Sequence, residues 1–315
     1  MTVTYIERVG AYVPETVSVA ELSGPLGLSS AQQRVFTRFL GLERIPVAAD
    51  MELADMLWAA GENVLDGVDR DSVRYIIHAH TMQHVAVGRP RLLDEVRERL
   101  RLPAATAFSV SHLNCVAGLY ALHLARCLLG AAPAGGKVLI LTGDKSADHL
   151  ARLIPGITIQ GDAAAACLVG TDPRGDRVLG RALRVDGRFY QCMDSPPALL
   201  AEYLQIFVPF MSDTVSAAIA SAGCAPADIS LVFPQNSSKL AWKRISKNVG
   251  IPDGRAYLDN VSKTGHCCCS DPFINLMAAR DAGRLKSGDL ILLATTGMGA
   301  AFAATVIEIG EGKNL

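Results

Sequence analysis

Phe108-Ser-Val-Ser-His-Leu-Asn-Cys-Val-Ala-Gly118 reads as a strand running into a helix whose first turn is made of small residues. Thr264-Gly-His-Cys-Cys-Cys-Ser-Asp-Pro272 leads into a second helix, since Asp before Pro is a helix-opening pair. Beyond these two stretches the chain runs alike. After Cys115 come a helical run from 116 to 129, a glycine turn at Gly135-Gly136 and the apolar strand Val138-Leu-Ile-Leu141, closing in Thr142-Gly143. After His266 come a helical run from 272 to 284, Gly288 and the apolar strand Leu290-Ile-Leu-Leu293, closing in Thr295-Thr-Gly297. Cys115 lies 21 residues before Gly136 and His266 lies 22 before Gly288, so two reactive side chains occupy equivalent places ahead of equivalent helices.

The correspondence extends outward. A helix over 52–65, with apolar residues three and four apart, precedes the strand Ser72-Val-Arg-Tyr-Ile-Ile-His-Ala-His80; a helix over 213–222 precedes the strand Asp228-Ile-Ser-Leu-Val-Phe233. Small-residue strands over 161–169 and 299–307 close the two units, as expected where helices pack closely on a sheet. Alternating strands and helices predict an α/β chain, and the duplication predicts two halves, 1–171 and 172–315, meeting about a pseudo-dyad. Their join falls in the polar turn Thr171-Asp-Pro-Arg-Gly-Asp176. No low-complexity linker separates them, so one shared core is expected.

Composition narrows the function. The 315 residues carry 30 Lys+Arg against 31 Asp+Glu, a formal charge of −1 that gives no footprint for nucleic acid or an anionic membrane. Charged residues make up 19% against 50% hydrophobic, which points to a large buried core and a subunit interface. The start lacks a basic segment followed by an apolar one, and no run approaches about 18 apolar residues, so a cytoplasmic chain is expected. Eight cysteines, at 115, 127, 167, 192, 224, 267, 268 and 269, stand in apolar contexts without a Cys-x-x-Cys pair, which suggests buried thiols rather than a disulfide framework.

Cys115 at a helix start meets unpaired N–H groups and the positive end of the helix dipole, both of which favour the thiolate; the plain alternative is a core thiol. His266 stands five residues before Asp271, a spacing that lets a turn fold the carboxylate onto one imidazole nitrogen while the other faces Cys115. Nucleophile, base and orienting carboxylate would form a Cys–His–Asp triad, although Asp271 also suits simple capping of the helix at Pro272. Cys267, Cys268 and Cys269 tempt a metal reading with His266, but adjacent side chains diverge and no second cluster completes four ligands, so no metal is expected. His78, His80 and His84 read as a polar group at a strand end. Gly299, after a buried strand, places its N–H with that of Cys115 as an oxyanion site, whereas no dinucleotide or Walker fingerprint occurs. Asp144 and Lys145 are expected at the surface.

With these residues in place, the chain resembles the thiolase-fold condensing enzymes, specifically the β-ketoacyl-acyl-carrier-protein synthase III group. The likeness lies in Val9-Gly-Ala-Tyr-Val-Pro14, Thr37-Arg-Phe-Leu-Gly-Leu-Glu-Arg-Ile45, the region of Cys115, Gly161-Asp-Ala-Ala-Ala165 and the closing glycine turn. The resemblance implies a five-layered αβαβα fold, a homodimer and a tunnel for a pantetheine arm. It also exposes departures. The family's Pro-His-Gln-Ala-Asn motif becomes Pro234-Gln235-Asn236-Ser237-Ser238, and its Asn-Thr-Ser becomes Gly265-His266-Cys267, so the pair that stabilises a decarboxylation carbanion is missing. The pattern is similar to a divergent acyltransferase subgroup from natural-product pathways with a Cys-His-Asp triad. That likeness implies transfer of an acyl group to a hydroxyl or amine, with Gln235 and Asn236 on the acceptor side. Carbon–carbon condensation is the alternative, and a noncatalytic carrier-binding subunit a third reading. The same likeness implies an acyl-CoA or a phosphopantetheinyl carrier protein as donor and no bound cofactor. Arg38 matches the family's adenine-binding arginine, but Arg34 stands where an aromatic is usual, which favours the carrier protein; Lys239, Lys243 and Arg244 read either as candidate contacts for it or as a solvated helix face.

Overall fold

The computed structural model describes residues 2–82 and 91–312; His84 lies outside them. In the N-terminal half, strands β1 (Tyr5–Tyr12), β2 (Val73–Ala79), β3 (Thr106–Val110), β4 (Lys137–Asp144) and β5 (Ala163–Gly170) lie in the order β3-β2-β4-β5-β1. In the C-terminal half, β6 (Asp176–Val185), β7 (Ile229–Pro234), β8 (Leu290–Gly297) and β9 (Ala301–Glu308) lie in the order β7-β8-β9-β6. Each half repeats one plan. Parallel β2 and β4 are answered by parallel β7 and β8; β5 and β1 turn antiparallel, as do β9 and β6. Where β3 flanks β2, a single bridge from Val232 to Ala256 flanks β7. The halves touch edge to edge through two residue pairs of β1 and β6, Tyr5 with Arg177 and Ile6 with Asp176.

Helices complete the layers. Helices α1 (Leu53–Leu65) and α2 (Leu92–Arg99) cover the outer face of the first sheet through Leu57, Ala60, Val64 and Val96. On the second, α4 (Pro197–Ala222) and α5 (Lys239–Val249) pack Met211, Val215 and Trp242 against Phe302 and Val306. Between the sheets lie α3 (Ala117–Leu129) and α6 (Asp271–Asp281), which contact strands of both. Their buried residues, Ala117, Ala121, Ala125, Phe273 and Leu276, join residues of both halves in one core, as the absence of a linker predicted. The result is an αβαβα fold with a pseudo-dyad running between α3 and α6.

Close approach at the dyad explains the small residues around the nucleophile. A Cβ on Gly118 would stand 2.9 Å from the Cys269 carbonyl oxygen, and one on Gly297 2.3 Å from that of Leu113. The sequence reading of a helix over 213–222 is too short, because α4 begins at Pro197 and carries Pro209 inside it. Pro197 fits the first turn, where its missing N–H is no loss, and Pro209 lies on the exposed side. By length and composition α4 could cross a membrane; here it lies along β6 and β9.

Candidate active site

Strand β3 delivers the chain to a tight turn, Asn114–Val116, whose Asn114 has φ +51°, and Cys115 sits in that turn directly before α3. From the other half, the turn before α6 brings His266, whose carbonyl accepts from Gly161 N at 2.8 Å. Across the dyad, Cys115 Sγ lies 3.4 Å from His266 Nε2. His266 Nδ1 donates to Asp271 Oδ2 at 2.5 Å. The three residues predicted to act together are therefore in contact, all of them buried.

Asp271 does more than open α6. Its Oδ2 also accepts from Asn236 N at 2.7 Å, and its Oδ1 from Cys267 N at 2.7 Å and Asn236 Nδ2 at 3.3 Å. None of these donors belongs to α6, so the carboxylate orients the imidazole and does not cap the helix. Asn275, one turn further along α6, donates to Pro234 O at 2.8 Å and to Asn236 Oδ1 at 2.9 Å, and accepts from Asn260 at 2.9 Å. A buried amide network thus fixes the carboxylate.

The electrostatics favour a thiolate–imidazolium pair. A hydrogen bond from the Cys268 thiol draws the Cys115 thiol well below its ordinary range, helped by the His266 charge and hydrogen bonds from His266 and Thr81, against the penalty of burial. For His266, burial works against the charged ring, but the Asp271 charge, the Cys115 thiolate and hydrogen bonds to both outweigh it and raise the imidazole well above its usual value. Thr81 Oγ1 stands 3.4 Å from Cys115 Sγ.

Asp144 corrects a surface assignment. It is 2% exposed at the end of β4, where it accepts from Thr81 N and Met82 N, both at 2.9 Å, and burial pushes its carboxyl up to about 7. Lys145 is half-buried and reaches Met51 O at 2.5 Å. Sequence reasoning missed Asp144, Thr81 and Asn275 because nothing in their spacing ties them to Cys115 or His266. His78 and His80 form the expected structural group: their rings stack at 4.6 Å, and each bonds a carbonyl, Gly143 O at 3.1 Å and Met82 O at 2.7 Å.

A cavity of about 210 Å³ opens onto Cys115 and His266, lined further by Leu40, Tyr203, Phe207, Gln235 and Met298. Gln235 faces it with a committed amide: Oε1 accepts from Thr296 N at 2.6 Å and from the Thr295 and Thr296 hydroxyls, and Nε2 donates to Ser237. Asn236 does not line the cavity, contrary to expectation, because its bonds to Asp271 and Asn275 require it to face the triad from behind. Arg38 is exposed on a π-helical turn, Val35–Leu40, whose last residue reaches the cavity mouth. Gly299 has φ +126° and stands beside Asn114, the residue before the nucleophile. The three adjacent cysteines diverge as expected. Cys267 Sγ turns to Thr264 O at 3.5 Å and Cys269 Sγ to Asn114 O at 3.3 Å, while Cys268 turns to Cys115. All eight thiols are free; five are buried, Cys127 is exposed and Cys192 and Cys224 lie between.

Comparison with known proteins agrees with this architecture. Residues 219–309 match the model of the 3-oxoacyl-[acyl-carrier-protein] synthase III C-terminal family. The β-ketoacyl-[acyl-carrier-protein] synthase III of Laribacter hongkongensis is 24% identical over 322 residues, covering 95% of this chain and 97% of that protein. Among solved structures, the acyltransferase ChlB3 superposes with a TM-score of 0.85 at 21% identity, covering 98% of each chain. The synthase III of Thermus thermophilus superposes with a TM-score of 0.80 at 25% identity, covering 98% of this chain and 99% of that one. The C-terminal part of the chain thus matches the synthase III C-terminal family, and over nearly its whole length the chain is similar to β-ketoacyl-[acyl-carrier-protein] synthase III enzymes in sequence and in fold.

Proposed function

We propose that the protein is an acyltransferase that moves an acyl group from a thioester, through Cys115, to a hydroxyl or amine acceptor in natural-product biosynthesis. The carrying observation is the contact chain Cys115–His266–Asp271, together with a cavity in which His266 is the sole lining histidine among the described residues. Decarboxylative condensation needs a group to stabilise a carbanion; here Gln235 and Asn236 occupy the stretch where the family histidine would stand, and both amides are bound internally. Attack by an acceptor needs a base held in one tautomer, which His266 on Asp271 supplies.

The reaction runs in two balanced steps. The Cys115 thiolate adds to the thioester carbonyl, the tetrahedral adduct collapses to an acyl-enzyme, and the departing pantetheine sulfur takes the proton from imidazolium Nε2. The acceptor then adds to the acyl-enzyme carbonyl while neutral His266 Nε2 takes its proton, and collapse returns the Cys115 thiolate and the imidazolium. The N–H groups of Cys115 and Gly299 hold the oxyanion in both steps. An acyl carrier protein is the favoured donor over coenzyme A. Exposed Leu204 lines the cavity, and exposed Phe39, Leu240, Lys243 and Arg244 lie within three residues of the lining residues Leu40 and Ala241, an apolar and basic set suited to an acidic carrier bearing a pantetheine arm. A homodimer fits the open edge of β3.

Intact-protein mass spectrometry with acyl and malonyl thioesters tests the reading. An acyl adduct on Cys115, absent in Cys115→Ala and formed but not discharged in His266→Ala, supports it. Carbon dioxide release from a malonyl thioester with a chain-extended ketoacyl product would instead establish β-ketoacyl synthesis, the activity named in the synthase III relatives.

A further inference from the structure

Acyl transfer uses one of the four thiols gathered at the dyad. Cys268 takes a left-handed φ of +52°, a conformation unusual outside glycine, and its thiol meets Cys115. The ligand atoms of Cys115, His266 and Cys268 all lie within 4.8 Å of one another, and all three residues are buried. The third donor that the consecutive cysteines lack locally is thus Cys115, supplied by the other half of the chain.

We propose that Cys115, Cys268 and His266 form a binding site for a soft divalent cation, zinc, and that an occupied site withholds the nucleophile from acyl transfer. Two sulfurs and an imidazole match the donor preference of zinc. In a tetrahedral site, Zn–S of about 2.3 Å and Zn–N of about 2.0 Å separate sulfur from nitrogen by about 3.5 Å. Here that separation is 3.4 Å. Asp271 on Nδ1 leaves Nε2 to face the ion and forms the carboxylate–histidine support usual behind metal-bound imidazoles. Binding displaces the Cys268 thiol proton and the imidazolium Nε2 proton, so two protons leave as one dication enters. Two thiolates, a neutral imidazole and the ion sum to zero charge, which suits a buried site. The fourth position is left to solvent in the cavity. Metal and acyl group compete for the same lone pairs of Cys115 Sγ, whatever the acceptor.

The test titrates reduced, chelator-stripped full-length protein with zinc against a competing metallochromic dye. One zinc per chain is expected, lost in Cys268→Ser and in Cys115→Ser, and retained in Cys267→Ser and Cys269→Ser, whose sulfurs point elsewhere. Bound zinc should block alkylation of Cys115 by iodoacetamide, and chelator should restore it. Absence of stoichiometric zinc, or equally tight binding by Cys268→Ser, overturns the proposal. Cobalt in the wild-type protein gives a readout that needs no variant. A thiolate-to-cobalt charge-transfer band with intense tetrahedral d–d bands supports the site, and a weak octahedral spectrum refutes it.

Discussion

Replacing Asp271 by Asn isolates the part of the triad that touches no substrate. The change keeps size and removes the charge facing His266 Nδ1. Four donors now converge on the two carboxylate oxygens: His266 Nδ1, Asn236 N, Cys267 N and Asn236 Nδ2. An asparagine accepts at one position and presents N–H groups at the other, so either the ring or a backbone amide loses its acceptor. A charge-assisted hydrogen bond contributes about 1.5–3 kcal/mol, and a buried donor left unpaired costs about 1–3 kcal/mol. Together these come to roughly 3–6 kcal/mol, or about 10²–10⁴ in rate if the deficit falls on the transition state. The analogous change in a serine triad lowers kcat by about 10⁴-fold. Loading and discharge are followed separately by quenched-flow intact mass spectrometry. Both steps should slow, because the imidazolium that protonates the leaving thiol and the base that accepts the acceptor proton are one ring. Cys115 should also lose alkylation reactivity at pH 6, since a ring without its carboxylate no longer stays charged beside the thiol. Discharge within threefold of wild type, with alkylation unchanged, would refute the orienting role and return Asp271 to a helix-terminal residue.

Other contacts yield further expected outcomes. In wild type, iodoacetamide at pH 6 should modify Cys115 ahead of the other thiols, because the Cys268 hydrogen bond and His266 lower it while burial raises Cys167; peptide mapping reads the order. Asp144, with its carboxyl raised to about 7, is held protonated more firmly in the folded chain than in the unfolded one. Its stabilisation is complete below pH 4 and is lost as pH rises through 7, up to about 4 kcal/mol across that window. Asp144→Asn should therefore flatten the pH dependence of urea unfolding between pH 5 and 8 and raise stability at pH 8; a steeper dependence would contradict the assignment. Arg152 pairs with Asp162 through two bonds of 2.8 and 2.6 Å, both residues buried. Arg152→Ala should cost about 3–5 kcal/mol in denaturant unfolding by stranding that carboxylate, and a loss under 1 kcal/mol would show the charge finding another partner. Gly297→Ala drives a methyl group against Leu113 O and should lower both stability, by about 1–3 kcal/mol, and Cys115 acylation; unchanged acylation would mean that the nucleophile turn is not held from that side.

Helix and strand periodicity, together with the matched spacings from Cys115 to Gly136 and from His266 to Gly288, made the duplicated α/β plan legible from sequence alone. Duplication also told that Cys115 and His266 would converge, because equivalent positions in two like halves meet at their dyad. His266 and Asp271 could be paired because five residues span one turn, a local fact. The remaining features depend on distant chain segments. Asn236 reads as a cavity residue beside Gln235, and only the packing of β7 against α6 turns it to Asp271. Asp144 is polar and stands at a strand end, a surface pattern, yet the Thr81–Met82 segment closes over it with two N–H donors. The start of α4 was hidden by its prolines, whose tolerance depends on which face meets the second sheet. Three adjacent cysteines diverge along any backbone; that Cys268 meets a fourth from the opposite half comes from the dyad and a left-handed turn. Sequence by itself determined the periodic elements, their repetition and the local pairing of base and carboxylate, since each is written within a few turns of chain. Tertiary structure decided the surroundings of the thiolate, because burial and long-range contact set its charge, its partners and its access.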